Sequence, residues 1–135
     1  MSAYKNLKIY QTAFNLAIKV YRLNVTLSAK DLQHQGNKLR WSSLKIKDMI
    51  AEAHAGIKEK GMLLKDLTIA MSHCDEVISL LKKIGQNNPN NKHLSDLVKS
   101  YKSLKRKMEG HIFRIREEKS EFLLQFPENR INELI

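Results

Sequence analysis

The sequence predicts an all-α fold, an antiparallel up-down four-helix bundle, and three observations carry that reading. Proline occurs only at positions 89 and 127, and glycine only five times in 135 residues, so few breakers interrupt the chain. Strand-like alternation of apolar and polar residues is absent. Apolar residues recur instead by threes and fours through four long segments, the spacing of one buried stripe on each of four helices. Short connections bring such helices together antiparallel, and packing near 20° between axes follows from the 3-4 spacing.

The first predicted helix covers about residues 5–26. Ile9, Ala13, Leu16, Val20, Leu23 and Leu27 form its stripe. Tyr10, Phe14, Ala17 and Tyr21 widen it, which predicts a helix covered on more than one side. Ser28 with Asp31 three residues on resembles a capping box and starts the second helix, residues 29–56. Its stripe is Leu39, Ser43, Ile46, Ile50, Ala53 and Ile57, and Gly56 and Gly61 bracket its end. The third helix, 62–84, repeats the pattern through Leu67, Ala70, Cys74, Val77, Leu81 and Ile84, with Gly85 as its C-terminal cap. "GQNNPNN", residues 85–91, is the clearest loop. The fourth helix, 92–116 or beyond, carries Leu94, Leu97, Tyr101, Leu104, Met108 and Ile115. The bundle is expected to fill 1–126, and Pro127 opens a C-terminal tail, 127–135.

Composition bounds the function. No apolar run approaches the roughly 18 residues of a membrane span, and MSAYKNLKIY lacks the apolar core of a signal peptide. Cys74 is the single cysteine, which fits a reducing interior. The expectation is a soluble, cytoplasmic protein. Lys and Arg outnumber Asp and Glu by 24 to 14, a net charge of +10. Such an excess attracts polyanions over a Debye length of about 8 Å, and nucleic acid is the commonest partner for it.

Catalytic chemistry finds little support, and no enzyme activity, cofactor or metal is expected. The histidines, at 34, 54, 73, 93 and 111, form no pair at the i, i+4 spacing that holds a metal on one helix face. Cys74 lies on the core seam and acts there as a small hydrophobe. His111 falls on the fourth seam as a core-edge residue. Ser42 and Ser43 lack the glycines of a nucleophile elbow. Glu52 and Glu76 are better read as partners of basic residues such as Arg40 than as an acid–base pair.

Binding surfaces are better marked. Between Lys92 and Arg116 eight basic residues face Asp96 and Glu109 alone. Lys92, Lys99 and Arg106 recur at sevens along the outside of the fourth helix with Lys102 beside them. The candidate phosphate contacts are Lys38, Arg40, Lys45, Lys47, Lys92, Lys99, Lys102, Lys105, Arg106 and Arg114. At 100° per residue, Trp41 and Leu44 point away from the seam set by Leu39, with Ala51 and Ala55 on the same outer side. This stripe is expected to be a subunit interface. Coverage of Trp41 by the tail ranks second, and stacking on a nucleobase third.

The segments "YKNLKIYQTAFNLAIKVYRL", "KLRWSSLKIKDMIAEA" and "LTIAMSHCDEV" resemble the four-helix-bundle family long labelled S23 ribosomal protein. The family includes bacterial proteins encoded by intervening sequences inserted in 23S rRNA genes. A related branch is the accessory variability protein of diversity-generating retroelements, a barrel-like pentamer that binds nucleic acid and a reverse transcriptase. Leu39, Arg40, Ile46, Ile50, Ala51 and Glu52 match the second-helix pattern, and Ile69, Ala70 and Glu76 the third. Trp41, Lys45, Met49 and Ala53 depart from it. The resemblance implies a homo-oligomer, pentameric in that branch. The expected function is a non-catalytic accessory protein that binds RNA, or DNA, through phosphates and partners a reverse transcriptase. The alternative is a structural oligomer or interaction module for an acidic protein.

Overall fold

The computed structural model describes residues 3–56 and 58–125. A 3-10 turn, Ala3–Asn6, leads into α1, Lys8–Thr26. A short α2, Ala29–Asp31, passes through a π-helical turn, Leu32–Gly36, into α3, Asn37–Ala53. Then come α4, Lys60–Asn87, and α5, Lys92–Gln125. No strand occurs among the described residues. α1 packs on α3 and α5, and α4 packs on the same two helices. The four long helices thus form a square in which α3 and α5 occupy opposite corners.

The predicted stripes meet in one core. Leu39, Ile46, Ile50, Leu67, Cys74, Val77, Leu81, Ile84, Tyr101, Leu104 and Met108 are fully buried. Each large apolar side chain removed from water stabilises the fold by about 1.5–3 kcal/mol. Leu80 and Ile112 join this core although the simple 3-4 reading omits them. Cys74 packs against the Met108 sulfur, and burial pushes its thiol up to about 12. Little nucleophilic thiolate therefore forms at neutral pH.

The helix ends show how local signals and long-range contacts combine. The Ser28 hydroxyl accepts the Asp31 backbone N–H at 3.2 Å, the first half of the predicted capping box. The reciprocal half is replaced. Asp31 accepts a hydrogen bond from the Asn88 amide, 3.1 Å, and that amide also reaches the Ile84 carbonyl, 2.8 Å. The α4–α5 loop is thereby clasped to the end of α2. Gly56 has φ of +69°, the left-handed conformation that a helix-ending glycine supplies.

Four expectations need correction. The second helix is not uniform: the π turn at 32–36 inserts extra residues into its first turns. Asn24, buried on α1, donates to the Gly36 carbonyl at 2.8 Å, a partner twelve residues away that no local pattern encodes. Gly85 is not the cap of α4, which continues to Asn87 before the Asn88 clasp ends it. Ala55 lies in the turn after α3 rather than on the helix. Among the described residues, α1 is covered on one side: Ala17 is buried and Tyr10 half-buried, whereas Phe14 and Tyr21 are exposed. Ile57 and the predicted tail, 127–135, lie outside the described residues.

Candidate nucleic-acid interface

The predicted basic residues fall on two helices. Lys38, Arg40, Lys45 and Lys47 belong to α3, and Lys92, Lys99, Lys102, Lys105, Arg106 and Arg114 to α5. The two helices are diagonal, so no single phosphate backbone segment runs straight across both sets.

The α3 cations are largely engaged. Lys38 pairs with Glu76 of α4 at 2.9 Å, and Lys47 with Asp48 at 2.7 Å. Lys47 also stands 5.9 Å from the Phe14 ring centroid, and Lys45 lies over Trp41 at 5.4 Å. Only Arg40 has neither an ion pair nor a ring contact among the described residues. Each of the two glutamates singled out in the sequence has a lysine partner: Glu76 takes Lys38, and Glu52 takes Lys58 at 3.3 Å. Lys58 also binds Asp66 at 2.8 Å, and that hydrogen bond holds its ammonium above the usual lysine range.

On α5 the situation is reversed. Lys105 turns toward α4 and pairs with Asp75 at 2.7 Å. Lys92, Lys99, Lys102, Arg106, Lys107 and Arg114 are exposed and have no carboxylate partner among the described residues. Beside them a cleft of about 420 Å³ opens between α1 and α5, lined by Lys19, Arg22, His93, Asp96 and Ser100. Lys107 and Arg114 continue the seven-residue line of His93 and Ser100 along the cleft side. The first 30 residues contain no Asp or Glu, so α1 offers its neighbour nothing to neutralise cations with. Lys19 and Arg22 were not legible as contacts because only the packing of α1 on α5 brings them beside His93, Asp96 and Ser100. Phe113 was also missed. It is 62% exposed and extends the line Lys92, Lys99, Arg106, putting an aromatic face at the end of the basic row.

The predicted subunit interface is only partly outward. Trp41 is 54% exposed and leans edge-on against His73 of α4, ring centroids 5.4 Å apart. Burial holds His73 below the usual histidine range, with Lys45 adding to the effect. Leu44 is exposed and Ala51 half-buried. A longer apolar stripe lies next to Leu44 on α1: Phe14, Ile18, Tyr21 and Val25 are exposed and spaced by four, three and four. The contacts of Phe14 with Lys47 and of Asn24 with Gly36 set an antiparallel register that brings Ile18 opposite the turn of α3 carrying Leu44.

Together these features define a small, basic four-helix bundle with a cationic α1–α5 face and an apolar α1–α3 face. A sequence model of the family described as "23S rRNA-intervening sequence protein" matches residues 5–110, more than three quarters of the chain. The chain belongs to this family. No curated protein and no solved structure matches it at a significant level. No helix among the described residues is long and apolar enough to cross a membrane.

Proposed function

We propose that the protein is a non-catalytic accessory protein of the cytoplasm that binds RNA in preference to DNA through its α1–α5 face. The observation that carries this reading is the row of unpaired cations on α5 beside Lys19 and Arg22. A phosphate that meets an unpaired lysine releases condensed counterions without first breaking a salt bridge. The family's description, which names 23S rRNA, is compatible with an RNA partner. Phe113 supplies a stacking platform for an unpaired base, so single-stranded or looped RNA is the favoured form. The protein then works as a homo-oligomer, pentameric by resemblance, that presents RNA to a reverse transcriptase or another nucleic-acid enzyme.

Titration of labelled single-stranded RNA at several salt concentrations tests this. Replacing Lys99, Lys102 and Arg106 together by Gln should weaken binding about a hundredfold at 0.1 M salt and flatten the salt slope by about two units. Phe113→Ala should cost about tenfold and leave the slope unchanged, because stacking releases no counterions. A triple variant that matches wild type in both affinity and slope removes the α5 face from the reading.

The apolar stripe favours a second reading, a structural oligomer or interaction module for an acidic protein. Four exposed apolar residues at helical spacing beside Leu44 form the kind of patch that monomers rarely leave open. Replacing Ile18, Trp41 and Leu44 by Gln should reduce the particle mass in light scattering while circular dichroism stays helical. An anchor of this kind contributes about 2 kcal/mol, roughly thirtyfold in affinity. A wild-type monomer contradicts assembly through this face.

A further inference from the structure

His54 and His111 are 57 residues apart in sequence, yet their Nε2 atoms lie 3.1 Å from each other. His54 closes α3, its backbone N–H bonded to the carbonyls of the preceding turn, and His111 sits on α5. Their contact crosses the diagonal of the bundle at the end where α3 stops. Both rings are half-buried, tilted 49° to each other with centroids 5.1 Å apart. We propose that His54 and His111 form a two-imidazole site for a divalent transition-metal ion of the zinc, nickel or copper class.

The distance suits the chemistry. With metal–nitrogen bonds of about 2.0–2.1 Å, nitrogens 3.1 Å apart subtend about 95–102° at a shared cation. That range lies between the right angle of a square-planar ion and the tetrahedral angle of about 109°. Imidazole ligands suit zinc, nickel and copper and not magnesium or calcium, which take oxygen. A metal needs neutral imidazoles, and burial holds both rings below the usual histidine range. In the metal-free protein one ring donates its N–H to the other, so binding costs one hydrogen bond and one tautomer change. No third His, Cys, Asp or Glu converges on the pair among the described residues. The remaining coordination positions go to water or an external ligand, and the affinity belongs in the micromolar range. Arg114 adds a repelling charge near His111. Neutralising it should tighten the site.

Untagged, chelator-treated protein should be titrated with ZnCl2 and NiCl2 by calorimetry and by thermal denaturation. One ion per chain is expected, with a melting temperature raised by roughly 5 °C or more at saturating metal, because the ion ties the end of α3 to α5. H54Q and H111Q should each weaken binding at least about tenfold, R114Q should strengthen it severalfold, and H93Q should match wild type. Wild-type NMR gives a readout independent of any variant's folding: sub-stoichiometric Ni2+ should broaden the ring signals of His54 and His111 before those of His34, His73 and His93. No saturable binding, equal broadening of all five rings, or binding kept in both H54Q and H111Q overturns the site.

Discussion

α3 and α5 stand at opposite corners of the same bundle and are both rich in lysine and arginine, but their cations are in different states. On α3, Lys38 and Lys47 are ion-paired and Lys45 covers Trp41; on α5, only Lys105 is paired among the described residues. The partners within reach decide the difference: Lys47 and Lys45 find Asp48 and Trp41 on α3 itself, and Lys38 and Lys105 reach across to α4. α4 carries Asp66, Asp75 and Glu76, and takes Lys58, Lys105 and Lys38 respectively. α1 carries no acid at all, so the cations that α5 turns toward it stay available. Local charge density therefore says little about binding until the facing helix is known. A paired lysine reaches a phosphate only after giving up a partner, whereas an unpaired one loses only water and gains counterion release.

The strongest test of the comparison asks whether the two helices are equal on their inner faces. Ile50 of α3 and Leu104 of α5 are both fully buried. Replacing either by Ala should cost about 2–5 kcal/mol in chemical denaturation, and Lys99→Ala almost nothing. Unequal core losses would mean that one helix is docked loosely, and the contrast between outer faces would then reflect packing rather than charge. A smaller effect should separate the outer faces in the same RNA titration. Replacing Lys38, Lys45 and Lys47 by Gln should change affinity less than about threefold, against the hundredfold loss expected for the α5 triple. Comparable losses from both sets would break the comparison outright. The smallest effects concern the ion pairs themselves. Lys38→Gln and Lys105→Gln should each leave the chemical-denaturation midpoint almost unchanged, because surface ion pairs contribute little. Lys105→Gln also frees Asp75 beside the α5 row, so it should weaken RNA binding beyond the loss of one charge.

Much of the fold was legible in the chain because an amphipathic period is a local property. Ile9 to Leu27, Leu39 to Ala53, Leu67 to Ile84 and Leu94 to Ile115 lie on the buried stripes that their spacing predicts. The candidate site was legible in part. Lys92, Lys99, Lys102 and Arg106 do lie exposed on one helix, whereas the contribution of Lys19 and Arg22 needed the packing of α1 on α5. Tyr101 shows the limit on the core side. Its spacing marks it as buried, but only the structure brings its phenol to Ser43 of α3, in surroundings where burial pushes its ionisation far up.

By itself the sequence determined that this protein is a helical bundle, which residues make its core, and that its charge is strongly positive. Each of these follows from the residues of one segment or from a count over the whole chain. Tertiary structure alone decided which cations are neutralised, where the second helix takes its π turn, and that two distant histidines meet. Apart from the local Lys47–Asp48 pair, those outcomes depend on atoms contributed by another element. Ion pairing falls off within a few ångströms, the Gly36 carbonyl needs Asn24 from α1, and the His54–His111 contact needs the diagonal of the assembled square.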